Sequence, residues 1–224
     1  MAEGKLIVIE GGDASGKATQ SLKLAERLGR DGHVVESLSF PQYDETIAGG
    51  LIRECLDGRR GDFMNIDPKI ASMLYAVDRY ETKDKLMQWL YDGAVVILDR
   101  YVSSNMLHQG AKIADDETRH ELVQWIYKLE HEQLGLPQPD LMAYLHVPAL
   151  KRATLLQSHW AERGWKLDVA EVDIVHQEMV DRYNEGVFNV YPNTLKVECV
   201  KDDELRTPED IHDEIYEAAQ ALMK

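Results

Sequence analysis

Lys5-Leu6-Ile7-Val8-Ile9-Glu10 runs directly into Gly11-Gly12-Asp13-Ala14-Ser15-Gly16-Lys17-Ala18-Thr19. A short apolar strand, a glycine-rich turn and Gly-Lys at the mouth of a helix form the pattern of a phosphate-binding loop. Its glycines let the main chain approach phosphate oxygens, the following helix offers its positive end, and the lysine supplies a mobile ammonium. Gly11, Asp13, Ala14, Ser15, Gly16, Lys17, Ala18 and Thr19 are therefore expected around a nucleoside triphosphate. The pattern normally closes on Ser or Thr, whose hydroxyl sits on Mg²⁺, and that place is Ala18. Thr19 points about 100° away on a helix and does not replace it.

Outward from the loop, strands alternate with helices. This predicts an α/β protein, a three-layer P-loop NTPase fold with a central parallel five-stranded sheet flanked by helices. The helix after the loop carries Leu22, Leu24, Ala25 and Leu28 and stops at Gly32, and a strand over 34–39 ends at Phe40-Pro41. Helices are expected over 47–56 and 68–91, and Ala94-Val95-Val96-Ile97-Leu98 has the unbroken apolar run of a central parallel strand. Helical pattern returns over 103–111 and 116–134, followed by a strand over 141–147, a helix reaching about 185, a strand over 195–200 and a helix from Pro208. No repeat or linker divides 1–224, so one domain is expected. In such sheets ligands gather at the carboxyl ends of the strands, which selects Asp13 and Lys17, Phe40 to Tyr43, Asp99 to Tyr101 and the segment after Val147.

Lys and Arg total 25 against 40 Asp and Glu, a net charge of −15. Such a chain repels nucleic-acid polymers, so any phosphate site must be a local basic pocket. Cys55 and Cys199 lack metal-ligand spacing and read as buried thiols. No apolar run approaches the ~20 residues of a membrane span and no leader precedes the first strand, so a cytoplasmic protein without a membrane partner is expected. The dipeptide Asp-Arg occurs at 78–79, 99–100 and 181–182. Tyr75 and Arg79 share a helix face, as a ligand-facing pair or as a packing tyrosine beside a surface arginine. Asp181-Arg182 reads as a solvated helix face.

The phosphate loop, then Phe40-Pro41-Gln42-Tyr43, then Asp99-Arg100-Tyr101-Val102-Ser103-Ser104-Asn105 resemble the thymidylate kinase family in order and spacing. Leu74-Tyr75-Ala76-Val77-Asp78-Arg79 and the lid-like Arg163-Gly164-Trp165-Lys166-Leu167-Asp168 extend the resemblance over nearly the whole chain. It implies a short lid over about 150–168 and transfer of the γ-phosphoryl group of ATP to dTMP, giving dTDP and ADP, with Mg²⁺ as cofactor and a homodimer as the usual assembly. A phosphate monoester with a second pKa of about 6 is largely dianionic at neutral pH, so the acceptor needs no general base. Two other readings stay open: a kinase of this fold for another nucleoside monophosphate, and a non-catalytic nucleotide-binding protein, against which Lys17, Asp99 and Arg100 all speak.

The resemblance also implies roles. Lys17 would cover the β- and γ-phosphates, Arg100 would bridge to the acceptor phosphate, and Asp99 would order Mg²⁺. Asp13 would accept from the 3′-hydroxyl of the deoxyribose, Tyr75 would stack on thymine and Arg79 would reach a base carbonyl. Ser104 and Asn105 would join them, and His108, where many relatives carry tyrosine, would crowd a 2′-hydroxyl. Phe40, before a peptide bond that is often cis in the family, would floor the acceptor pocket. Tyr43 stands where some relatives have arginine. One branch of the family places a catalytic arginine at the Ala14 position and the other draws on lid cations, so Arg163, with Lys166 second, is expected to clamp the donor phosphates.

Overall fold

The computed structural model describes residues 4–163 and 173–223, with the backbone alone for 158–163. In chain order the elements are β1 (Lys5–Gly11), α1 (Lys17–Arg30), β2 (Val35–Ser39), α2 (Ile47–Leu56), α3 (Pro68–Glu81), α4 (Lys83–Tyr91), β3 (Val95–Asp99), α5 (Val102–Gly110) and α6 (Asp116–Tyr127). They continue with β4 (Leu141–His146), α7 (Ala149–Arg163), α8 (Ile174–Arg182), α9 (Asn184–Phe188), β5 (Thr194–Glu198), the hairpin β6 (Val200–Lys201) and β7 (Glu204–Leu205), and α10 (Pro208–Ala221). The five long strands are all parallel, in the order β2-β3-β1-β4-β5.

Strand alternation divides the core. Leu6, Val8, Val96, Leu98, Met142 and Tyr144 face α4, α5 and α6, whereas Ile7, Ile9, Val95, Ile97, Ala143 and Leu145 face α1 and α10. Each fully buried Leu or Ile contributes roughly 1.5–3 kcal/mol, which is why β1 and β3 are apolar on both faces. β1 lies at the centre; the connection that leaves it runs toward the β2 edge, and the one that leaves β3 runs to β4 on the other side. Register places Ile9 and Ser39 beside Asp99, and Gly11 beside Leu145, so the ends of these strands open on one crevice.

Several expectations need correction. The stretch 68–91 is two helices, because the N–H of Thr82 falls back to the Arg79 carbonyl and its hydroxyl bonds to that of Asp78. The stretch 116–134 leaves α-helical geometry after Tyr127, and Lys128–Gln133 forms a π-helical segment. The helix expected to reach 185 is α8 followed by α9 across Tyr183, and the last strand breaks at Cys199 before β6. Leu22 is exposed, so α1 packs through Leu24 and Leu28. Both cysteines are free and buried, as expected. Among the described residues no helix is long and apolar enough to cross a membrane.

Candidate active site

The phosphate loop exists because of what its residues lack. Gly11 adopts φ 149° and Gly16 φ 92°, and a Cβ on Gly12 would stand 2.3 Å from Cζ of Arg152. Ala14 also takes a positive φ, 59°, at a cost of about 1–2 kcal/mol for a residue with a Cβ. Lys17 opens α1 and is buried, with Nζ donating to the Gly12 carbonyl at 2.7 Å. Burial and neighbouring Arg100 draw its pKa down to about 8, against the opposing pull of Asp13, Asp99 and Glu10. Ala18 and Thr19 are exposed on α1.

Arg152, on the first turn of α7, is turned into the loop. Its Nη1 donates to the Val147 carbonyl and to Asp181 Oδ1, both at 2.6 Å, and its Nη2 to Gln177 Oε1 at 3.0 Å. Its Nε is buried against Gly12 without a partner, and so is Ser15 Oγ nearby. Asp181 is therefore a partner for a buried guanidinium and not part of a solvated face, whereas Arg182 is exposed. Arg163 ends α7 with its side chain outside the described residues, and Lys166 lies outside them altogether.

Arg100 follows β3 at φ 68°, a left-handed conformation that lets its N–H reach the Ile9 carbonyl at 3.1 Å. Its Nη2 donates to Asp13 Oδ1, and Gln177 Nε2 donates to Asp13 Oδ2 at 2.9 Å. Burial alone would raise the Asp13 pKa, but Arg100 and Lys17 outweigh it and hold the carboxyl well below the usual range. Asp99 ends β3 beside them, and its charge acts on both Lys17 and Arg100. Glu10, fully buried, accepts from Gly11 N at 3.0 Å, Ser103 Oγ at 2.6 Å and Ser104 Oγ at 2.8 Å, and so ties the end of β1 to the start of α5. The sequence signal was available, since a carboxylate closes an otherwise apolar strand.

A cavity of about 230 Å³ opens from this cationic rim. Asp13, Phe40, Tyr43, Tyr75, Arg79, Arg100, Ser104, Asn105 and His108 all line it, so the residues that the sequence singled out at distant positions converge. The Phe40-Pro41 peptide is cis, and the Phe40 ring packs 6.0 Å from that of Tyr101. Tyr75 packs 6.2 Å from Phe63, a wall residue not anticipated. Arg79 is buried, not a surface arginine. Its Nε and Nη2 form a fork onto Glu130 at 2.5 and 2.7 Å, and burial is outweighed so that its pKa is raised. Asn105 Nδ2 donates to the same carboxylate at 2.9 Å and to the Ser72 carbonyl at 3.2 Å, leaving its Oδ1 buried without a partner. Glu130 sits in the π-helical segment, and no local pattern marked it. Gln109, Lys112 and His176 also line the cavity and escaped the sequence reading.

The sequence model of the thymidylate kinase family matches residues 9–204. A thymidylate kinase of Mycobacterium tuberculosis is 35% identical over 144 residues, 64% of this chain and 66% of that protein, so the match spans just under two thirds of the relative. A thymidylate kinase of Caldicellulosiruptor saccharolyticus is 30% identical over 225 residues, 99% of this chain and 98% of that protein. The solved structure of a thymidylate kinase from Candida albicans superposes with a TM-score of 0.77 at 25% identity, covering 100% of this chain and 94% of that one. With the phosphate loop, the Asp99-Arg100 rim and the Arg79-Asn105 wall joined in one crevice, the chain belongs to the thymidylate kinase family.

Proposed function

We propose that this protein transfers the γ-phosphoryl group of ATP to dTMP, giving dTDP and ADP. The observation that carries the reading is the far wall of the cavity, lined by Asn105, whose Oδ1 is buried without a partner, and by Arg79. Thymine offers an N–H between two carbonyls, and Asn105 Oδ1 suits the N–H while Arg79 suits a carbonyl. Cytosine carries a bare nitrogen at that place, which would leave Oδ1 unpaired in a buried site. Tyr75, edged by Phe63, supplies a face for stacking.

At the other end the work is electrostatic. Lys17 exchanges its contact with the Gly12 carbonyl for the donor phosphates, and Arg100 exchanges part of its contact with Asp13 for the acceptor phosphate, freeing Asp13 for the 3′-hydroxyl. The unpaired Arg152 Nε and Ser15 Oγ add donors beside the loop. Arg163 and Lys166 are the further lid cations assigned to the donor side. His108 fills space beside the sugar, and Phe40 floors the pocket. A divalent cation fits this donor set: Asp99 keeps a carboxylate free of side-chain hydrogen bonds among the described residues, and Mg²⁺ retains most of its water wherever phosphates supply ligands. When bound, Mg²⁺ neutralises charge on the phosphate oxygens; Ala18 contributes no ligand.

We also assign a homodimer. Ile70, Met73, Val77 and Tyr80 form a stripe along α3 at 59%, 43%, 42% and 51% exposure, and Ile47 on α2 reaches 87%, an exposed apolar face that a second copy would cover. Two free thiols accord with a cytoplasmic location, and the charge of −15 with the absence of a nucleic-acid partner. The test is ADP release with ATP and Mg²⁺ over dTMP, dUMP, dCMP and dGMP. We expect dCMP to be at least about 100-fold less efficient than dTMP. Equal use of dCMP would remove Asn105 from base selection, and no turnover of any acceptor would reduce the protein to a nucleotide binder.

A further inference from the structure

Helix α8 touches both groups that hold Arg100. His108 Nε2 lies 3.3 Å from Arg100 Nη1, and His108 Nδ1 lies 3.2 Å from His176 Nε2, with the ring centroids 5.5 Å apart, so that the two imidazoles meet edge to edge. A guanidinium has donors only, so His108 Nε2 must accept and carry no proton. The proton of His108 is then on Nδ1 and is donated to His176 Nε2, which leaves the proton of His176 on its own Nδ1. Only this arrangement satisfies both contacts, and it requires two neutral rings.

The surroundings keep them neutral. Burial lowers both pKa values, reinforced at His108 by Arg100, His176 and Lys17 and at His176 by Lys112. Asp13 opposes at both rings, and Asp173, whose side chain caps α8, opposes at His176. The next residue, Gln177, donates to Asp13 Oδ2 at 2.9 Å while Asp13 Oδ1 takes Arg100 Nη2. Two consecutive residues of α8 thus reach, through His108 and Asp13, both terminal nitrogens of one guanidinium.

We infer that His176 is a positioning residue, which accepts from His108 Nδ1–H and so presents a bare His108 Nε2 that aims the Arg100 guanidinium at the acceptor phosphate. This role presupposes the phosphoryl transfer to dTMP proposed above. Sterically, His108 closes the sugar side of the cavity; chemically, it is the link between α8 and the catalytic cation.

The test uses two variants and one spectrum. His176→Phe keeps a flat ring beside His108 and removes the acceptor, whereas His176→Gln removes the ring and keeps an acceptor oxygen. We expect kcat with dTMP to fall about ten- to a hundredfold in the Phe variant with KM for ATP unchanged, and to return to within about threefold of wild type in the Gln variant. Imidazole ¹⁵N NMR of the wild-type protein should show His108 protonated on Nδ1 and bare on Nε2. Wild-type kcat in His176→Phe, a Gln variant as slow as the Phe variant, or a proton on His108 Nε2 would each overturn the role. The spectrum needs no variant, so it tests the role even where His176→Phe does not fold. A wild-type protein that forms no dTDP overturns the reaction instead, and the His108 tautomer still shows separately whether the two histidines are linked as described.

Discussion

Arg100 sits at the end of β3 with a positive φ, its guanidinium held between Asp13 and His108. Replacing it with Ala should cut turnover by about 10²–10³-fold while ATP affinity, measured by calorimetry, stays near that of the wild type. Lys17 carries a pH dependence. Its pKa of about 8 without ligand rises when polyphosphate binds, because the charged form is the one that binds. ATP affinity should therefore decline as pH rises through about 8, with proton uptake on binding near that pH. Calorimetry in buffers of different ionisation heat measures the uptake, and a value of zero would show that Lys17 stays fully charged. Glu130→Gln weakens the fork under Arg79, so KM for dTMP should rise with little change in KM for ATP.

At the scale of elements, the crevice is assembled by contacts between segments that are remote in sequence. Asp78 on α3 is buried, accepts from Gln42 N at 3.2 Å and takes the hydroxyl of Thr46, while Glu81 accepts from Ile47 N and Ala48 N at 2.9 Å. The start of α2 and the loop after Pro41 are thereby pinned to the helix that carries Arg79. Thr46 also caps α2 by accepting from Gly49 N, so Thr46→Ala should cost about 1–3 kcal/mol in urea unfolding, the cap together with one unsatisfied buried carboxylate bond. Gly12 and Arg152 are coupled in the same way. A methyl at Gly12 requires the guanidinium to move off the loop, so Gly12→Ala should weaken ATP binding at least tenfold, a loss of about 1.4 kcal/mol or more, while thermal unfolding still shows one cooperative transition.

Across the whole molecule, the apolar stripe on α2 and α3 lies on the outer side of the helix pair whose inner side walls the cavity. Pairing through it would stiffen that wall. If the proposed homodimer pairs through this stripe, the wild type sediments as a dimer and Val77→Lys as a monomer, with no cavity residue touched; an unchanged dimer places the interface elsewhere, and a monomeric wild type removes the homodimer.

The chain alone determined the order of strands and helices, the phosphate loop and the strand ends from which Asp13, Phe40, Asp99 and Arg100 project, because these depend on local periodicity, glycine geometry and short spacings. Tertiary structure decided the rest. Glu130, Arg152 and His176 sit in unremarkable local sequence, and each matters through partners remote in the chain: Glu130 through Arg79 at a separation of 51 residues, Arg152 through Gln177 at 25, and His176 through His108 at 68. A hydrogen bond across that much chain leaves no periodic trace, since its energy comes from burial that only the packed sheet and helices create.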